Sequence, residues 1–192
     1  MPSVREAVEI YIRAKDENRP SLMERAFAEN AKLEMIVKSG TISFPPVSIG
    51  LQTISDVLVR RFAQTYENVH TFCLSAPPPD DQFIFSCNWL VGMSEKDSRS
   101  VRVGFGRYDW QLQSQGQRLV ELLAITIDRM ESLPPSYLAS VVDWLSGLPY
   151  PWCTAQAALA GIPSLELLHP MQQDLERACA CPGAQAAQKD RE

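Results

Sequence analysis

Segment 27–62 restricts the possible folds of this chain more than any other part of the sequence. It opens with the run Phe-Ala-Glu-Asn-Ala-Lys-Leu-Glu-Met at 27–35, in which a short helix gives way at once to a strand. After a proline-bearing turn, Gly50 opens an amphipathic helix that is predicted to run from Leu51 to Tyr66. A strand enclosed by two helices in this way indicates a sheet that is packed on helices.

The remaining chain up to residue 133 predicts a further helix and a series of strands. Apolar residues recur at helical spacing behind Ser3, which can form a capping box with Glu6, and they predict a first helix over 3–17. Ser21 is predicted to start a second, short helix. The apolar period then changes to two, which predicts strands near 69–76, 82–93, 100–113 and 118–130. This order is typical of an α+β fold with an antiparallel sheet.

Residues after 133 predict a helical extension. Apolar residues at helical spacing mark one helix, Pro149 and Pro151 interrupt it, and further helices are predicted near 153–160 and 164–178. Because an exposed apolar stripe is unstable, we expect the extension to pack on its own domain. The predicted organisation is a domain over 1–133, a helical extension over 134–181 and a flexible tail over 182–192.

Composition excludes several classes of function. The 192 residues carry a net charge of -5 without a basic patch, which argues against a nucleic acid or an anionic membrane as partner. The sequence shows neither a signal peptide nor an apolar run of membrane-spanning length, so we expect a cytoplasmic protein. Five cysteines at irregular spacing predict reduced thiols. Cys179 and Cys181 lack a second Cys/His pair, so neither a metal site nor a cofactor is expected.

The order Phe-Ala-Glu-Asn-Ala, strand, and Gly-Leu-Gln-Thr-Ile from Gly50 resembles the nuclear transport factor 2-like superfamily. It is similar in particular to SnoaL-like domains, distant relatives of polyketide cyclases and ketosteroid isomerases, whose pattern is Phe-Ala-(Asp/Glu)-Asp-Ala, a strand and Gly-x-x-x-Ile. The similarity extends over about residues 4–133. It implies a curved antiparallel sheet wrapped on helices into a cone with an internal pocket. It also implies a homodimer, because sheets of this superfamily often pair face to face.

The resemblance to ketosteroid isomerases assigns positions to three residues. Tyr11 matches their tyrosine on the first helix, Tyr108 matches the position of their carboxyl donor, and Met35 stands where they carry an acidic base. A thioether cannot take a proton near neutral pH, so we expect no isomerase reaction of that kind. The two tyrosines can polarise or bind a ligand in one cavity, or they can serve as ordinary core packing.

The resemblance to SnoaL-like cyclases and dehydratases assigns two further residues. His70 stands at the start of a strand where some of them carry a proton-transferring histidine, and Asp128 resembles the aspartate that ends their last strand. An imidazole needs a partner that orients it, for which Asp128 and Asp109 are the candidates. His70 and Asp128 are therefore the predicted catalytic pair.

Together these observations predict a binding protein for a small, largely apolar organic ligand. The predicted ligand-binding residues are Tyr11, Phe27, Met35, Phe62, Trp89 and Tyr108. Two alternatives remain. The first is a lyase, cyclase or isomerase in which His70 and Asp128 move a proton while the tyrosines polarise the substrate. The second is a dimerising scaffold module with a filled core, which large residues such as Met35 and Trp89 would suit.

Overall fold

A computed structural model describes residues 2–180 of the chain, so Cys181 and the predicted tail at 182–192 lie outside the described residues. The part that precedes the extension contains, in chain order, α1 (Val4–Asp16), a 3₁₀ turn (Pro20–Arg25), β1 (Phe27–Val37), β2 (Val47–Ile49), α2 (Leu51–Ser55), α3 (Arg61–Thr65), β3 (Tyr66–Cys73), β4 (Ile84–Glu95), β5 (Val101–Leu112) and β6 (Val120–Leu133). The extension contains α4 (Leu138–Ser146), α5 (Ala155–Gly161) and α6 (His169–Ala180). No helix within 2–180 is long and apolar enough to cross a membrane.

Helix α1 begins with the predicted capping box. The Glu6 N–H donates to Ser3 Oγ at 3.3 Å, and the Ser3 N–H donates to Glu6 Oε2 at 2.9 Å. These two bonds satisfy backbone donors that the first turn of a helix leaves free. The buried face of the helix carries Val4, Val8 and Tyr11, and one turn further on it carries Lys15.

The helix predicted after Gly50 forms, but it is not a regular α-helix throughout. Gly50 has a φ of 89°, a left-handed value that glycine adopts without strain. From there α2, a π-helical stretch (Asp56–Arg60) and α3 follow one another without interruption. A π-helical stretch widens a helix locally, which the apolar spacing alone does not reveal. The short element near Ser21 is a 3₁₀ turn, with Pro20 at its first position and no side chain capping it.

All six strands form one sheet in the order β2-β1-β6-β5-β4-β3. Strands β1 and β6 are parallel, whereas the other neighbouring strands are antiparallel. The sequence predicted an antiparallel sheet, so this one parallel pair differs from the prediction. The short edge strand β2 occupies part of the predicted turn. The sheet is curved, but it does not close into a barrel because its outer strands, β2 and β3, do not pair with each other. Helix α1 and the helical run 51–65 pack on its concave face.

The extension packs on the opposite, convex face of the sheet. Phe72, Leu90 and Val103 point to this side and form a second core with residues of α4 and α6, among them Trp144 and Met171. The sheet therefore covers the apolar stripe of the extension, as expected from the sequence. Strands β3 to β5 carry apolar side chains on both faces as a result, which explains their long apolar runs.

Candidate functional site

A small cavity lies between the concave face of the sheet, α1 and the helical run 51–65. We call it the inner cavity, and its volume is about 50 Å³. Apolar side chains make up most of its walls, and the polar atoms come from Lys15, two tyrosines and a tryptophan. The lining residues are Tyr11, Lys15, Met35, Ile42, Phe44, Leu58, Phe62, Trp89, Val91, Met93, Tyr108, Ile125, Ile127 and Met130.

A larger and more polar recess, the outer cleft, adjoins the inner cavity. Its volume is about 340 Å³, and it lies between the loop that joins β1 to β2 and the C-terminal half of the helical run. Its polar side chains include Arg61, Thr65 and Tyr66. Ile42, Phe44 and Phe62 line both the inner cavity and the outer cleft, so the two spaces share a wall.

Five of the six predicted ligand-binding residues line the inner cavity. Phe27 does not, because it stands at the opposite end of β1 from Met35. Its ring packs instead against Tyr11, with centroids 6.2 Å apart, and against Trp110, at 6.1 Å. Phe27 therefore supports the aromatic wall from behind. The other five are Tyr11, Met35, Phe62, Trp89 and Tyr108.

An aromatic cluster holds the two tyrosines in place. The rings of Tyr11 and Tyr108 meet edge to face at 5.9 Å, and Tyr108 lies 5.7 Å from Trp89. Burial raises the pKa of both tyrosines, so their hydroxyls stay protonated and can act as donors. The indole N–H groups of Trp89 and Trp110 are buried and have no hydrogen-bond partner among residues 2–180. The cluster thus holds more donors than its own contacts use.

Lys15 brings a charge to the wall of the inner cavity. Its Nζ donates to Asp16 Oδ1 at 2.7 Å and to Thr71 Oγ1 at 2.6 Å, and it lies 4.8 Å from the centroid of the Phe62 ring. The side chains of Lys15 and Asp16 are only 6% and 4% exposed. A buried ammonium needs such a partner, since an unpaired charge is very unfavourable away from water.

Asp16 is the centre of a polar cluster that joins three parts of the chain. Besides Lys15, its carboxylate accepts the Thr71 N–H at 2.8 Å, the Thr71 hydroxyl at 2.8 Å and the Tyr150 hydroxyl at 3.2 Å. Because several donors surround the carboxylate, its orientation is fixed, and it holds the ammonium in one place. The cluster therefore presents a fixed donor to an apolar space.

The sequence interpretation missed Lys15, although α1 carried a signal for it. Lys15 follows Val8 and Tyr11 at helical spacing, so it lies on the apolar stripe of α1. A charged residue on such a stripe is either at the helix end, reaching water, or paired inside the protein. Asp16 and Thr71 had no signal of their own, because only the folded chain brings α1 and β3 together.

The structure does not bring the predicted catalytic pair together. Thr71 faces α1, so its neighbour His70 faces the other side of β3, where its Nδ1 lies 3.3 Å from the Asn68 carbonyl oxygen. Asp128 accepts a hydrogen bond from Lys38 at 2.7 Å, outside the inner cavity. The alternative partner, Asp109, bonds to Ser86 and Arg107. Of these predicted site residues, the two tyrosines line the inner cavity, whereas His70 and Asp128 do not.

Comparison with known proteins confirms the fold. No protein-family model matches the sequence, and no curated protein matches it. Among solved structures, a hexachlorocyclohexane dehydrochlorinase (LinA) of type 2 is similar over 68% of this chain and 86% of its own, with a TM-score of 0.56 and 8% identity. A second LinA structure matches over 68% and 87%, with a TM-score of 0.56 and 6% identity.

A nuclear transport factor 2-like protein from Salmonella enterica serovar Typhimurium LT2 is also similar, over 66% of this chain and 89% of its own, with a TM-score of 0.50 and 13% identity. The chain is thus an α+β protein with the nuclear transport factor 2-like fold, as its sequence pattern predicted. Identities of this size establish the fold alone. Any function must be argued from the site itself.

Proposed function

We propose that this protein binds a small, largely apolar organic molecule that carries a neutral oxygen acceptor, which it places against Lys15 in the inner cavity. The observation that supports this most directly is the buried ammonium group in the wall of an otherwise apolar space. Ligand sites in proteins commonly combine apolar walls with a few fixed polar groups that orient the ligand.

The ammonium group retains capacity for a ligand. Lys15 has three N–H donors, and within the described part of the chain its hydrogen-bond acceptors are Asp16 and Thr71 only, while the face of the Phe62 ring lies 4.8 Å from Nζ. A buried donor without a partner is unfavourable by about 1–3 kcal/mol. A ligand oxygen that reaches the third N–H would remove this penalty, and binding would gain from it.

The charge of the cluster favours a neutral acceptor over an acid. Asp16 already balances Lys15 at 2.7 Å, so the pair as a whole carries no net charge. A carboxylate placed beside it would leave one unbalanced negative charge in an apolar space, which is strongly unfavourable. A ketone, an aldehyde, an ester or an ether accepts a hydrogen bond without adding charge. We therefore favour this group of compounds.

The sizes of the two spaces favour a slender molecule that occupies both. The inner cavity, at about 50 Å³, has room for a small polar end only, whereas ligand pockets commonly measure about 300–1,000 Å³. The outer cleft, at about 340 Å³, supplies the missing room. The acceptor end would lie at Lys15 and the remainder would pass Phe44 and Phe62 into the outer cleft.

An enzymatic role has less support from the site. The lyase, cyclase or isomerase alternative needs a group that moves a proton, and His70 and Asp128 lie outside the inner cavity. The scaffold alternative needs a filled core, and the walls come close to filling it. What favours binding over a scaffold is the charged group in the wall, since a buried ion pair is often no more stabilising than apolar residues of similar volume.

A linear ketone and the acid of equal length test this proposal. Saturation-transfer NMR would compare 2-octanone with octanoate on the wild-type protein, on Lys15→Met and on the matched control Lys38→Met. Lys38 is an exposed lysine that pairs with Asp128 outside the inner cavity. We expect 2-octanone to bind more tightly than octanoate. We expect Lys15→Met, but not Lys38→Met, to weaken the binding of 2-octanone.

Two results would contradict the proposal. One is binding of 2-octanone that is equal in Lys15→Met and in the wild-type protein. The other is binding of octanoate that survives in Lys15→Met but disappears in Arg61→Met, because it would place an acidic group in the outer cleft. Lys15→Gln, which keeps a donor, shows whether any loss in Lys15→Met reflects the missing donor or a disturbed fold.

A further inference from the structure

The extension returns to the site through the segment that joins α4 to α5. Residues 149–153 run beside the end of β3, where the Cys73 N–H donates to the Pro151 carbonyl at 2.8 Å and the Cys153 N–H donates to the Cys73 carbonyl at 3.0 Å. These two main-chain bonds hold the segment in register with β3. Two of its side chains, Tyr150 and Trp152, thereby reach α1.

Two aromatic side chains of this segment bind carboxylates of α1. The Tyr150 hydroxyl donates to Asp16 Oδ2 at 3.2 Å, and the Trp152 indole N–H donates to Glu9 Oε1 at 2.8 Å. Glu9 and Asp16 lie about two helical turns apart on the same face of α1. The extension therefore holds the helix at two points, of which only one belongs to the polar cluster of the site.

Tyr150 is linked to the inner cavity through a single carboxylate. Asp16 accepts from Tyr150 through Oδ2 and from Lys15 through Oδ1, so a rotation of the carboxyl group moves the partner of the ammonium. The ring of Tyr150 stacks edge to face on Phe72 at 5.8 Å, which orients its hydroxyl. The side chain itself does not line the inner cavity.

We propose that Tyr150 is a positioning residue of the site: together with Thr71 it holds the Asp16 carboxylate and thereby the Lys15 ammonium in the inner cavity. The helical extension thus forms part of the site as well as covering the sheet. This inference rests on the proposed function only where it concerns ligand binding. The effect of the Tyr150 hydroxyl on Lys15 is observable without a ligand.

The test compares three variants of the full chain. Tyr150→Phe removes the hydroxyl that binds Asp16, and Trp152→Phe removes the indole N–H that binds Glu9. Tyr137→Phe removes a hydroxyl elsewhere in the extension, on a residue that packs against the second core. The first readout is the NMR signal of the Lys15 side chain in protein labelled at lysine ¹³Cε and ¹⁵Nζ. The second is the affinity for 2-octanone.

We expect Tyr150→Phe to shift the NMR signal of Lys15. We also expect it to lower the affinity for 2-octanone by about threefold to tenfold, as for the loss of one ordinary hydrogen bond. Trp152→Phe and Tyr137→Phe should leave both readouts as in the wild-type protein. A role in stability alone would make Trp152→Phe resemble Tyr150→Phe, and that result would overturn the inference. A Lys15 signal that stays in place in Tyr150→Phe would overturn it as well.

The two proposals fail in different ways. If Lys15→Met binds 2-octanone like the wild-type protein, the proposed function fails, while the Lys15 signal still decides the role of Tyr150. If Lys15→Met loses binding and Tyr150→Phe keeps it in full, the proposed function stands and the positioning role is refuted.

Discussion

The hydroxyl of Tyr150 lies 3.2 Å from Oδ2 of Asp16, although 134 residues separate the two in the chain. The same carboxylate holds Lys15 and Thr71, so the first helix, an edge strand and the extension meet at one buried charge. Disturbance of this carboxylate should therefore reach all three elements at once.

Asp16→Asn should destabilise the protein by about 3 kcal/mol, because it leaves the Lys15 ammonium buried without an opposite charge. Asp56→Asn is the matched control. Asp56 pairs with Arg60, and the two side chains are 49% and 46% exposed. Exposed ion pairs of this kind on a helix contribute about 0.3–0.5 kcal/mol to stability. Urea unfolding with an unchanged m value would measure both losses. Equal losses would show that the Asp16 pair is no more important than a surface pair.

Tyr11 and Tyr108 should make the protein sensitive to alkali. Burial raises the pKa of both above that of tyrosine in the unfolded chain, which is about 10. Their contribution to stability is therefore complete below about pH 10 and is lost as the pH rises further, because only the unfolded chain then releases its protons. The double variant Tyr11→Phe/Tyr108→Phe should lose less stability over that range. A parallel decline of variant and wild type in alkaline urea titrations would contradict this.

Gly106→Ala should destabilise the protein by about 1–3 kcal/mol or more through overpacking. A Cβ at this position would lie 1.9 Å from the Thr126 carbonyl oxygen and 2.6 Å from the Trp89 ring, and the backbone cannot withdraw easily. The displaced ring also lines the inner cavity. Gly40→Ala serves as control, since its Cβ would meet nothing within 4 Å. Thermal unfolding of the two variants should separate them clearly, and equal midpoints would argue against the close approach of β5 and β6.

Trp144→Ala should reduce stability by about 3–5 kcal/mol, because a large buried side chain is replaced by a cavity. Its indole N–H donates to the Ala158 carbonyl at 2.9 Å, so the change also removes a hydrogen bond between α4 and α5. Leu167→Ala, at a residue that is 46% exposed, should change stability little. Should Trp144→Ala unfold at the same denaturant concentration as the wild type, the extension would not be an integral part of the fold.

The homodimer expected from the sequence remains a prediction, and the structure limits where it can form. The extension covers the convex face at β3 to β5, whereas Ile36, Val47 and Ile49 on β1 and β2 are between 47% and 65% exposed. An exposed apolar patch is a common interface. We expect Ile49→Glu to give a monomer in light scattering, and Ile84→Glu, at an exposed site on β4, to leave the dimer intact. A wild-type monomer would remove the expectation.

Local signals explain why much of the fold was predictable. The capping box at Ser3, the glycine at Gly50 and the change of apolar period near Val69 are each properties of a few neighbouring residues. The short strand β2 was missed because its three residues pair with β1 only after the loop between them has folded back. The parallel pairing of β1 and β6 likewise depends on residues far apart in the chain.

The site was predictable only in part, and His70 shows why. In a strand, a shift of one residue exchanges the two faces of the sheet, so an alignment that is correct to within one position still leaves the side of a residue open. His70 and Thr71 are neighbours, yet only Thr71 touches Asp16. The aromatic residues were predicted with fewer errors, because Tyr11 lies on the apolar stripe of α1 and both Trp89 and Tyr108 stand on the face of the sheet that lines the inner cavity.

The side chains of Ile42, Phe44 and Phe62 line both the inner cavity and the outer cleft, and this has a kinetic consequence for the proposed ligand. In the proposed binding mode, we expect a molecule seated at Lys15 to leave past Ile42 and Phe44, which requires motion of the loop that carries them. Its residence time is then governed by that motion as well as by its contacts. Two compounds of equal affinity should therefore exchange at different rates, the broader one more slowly than the slender one.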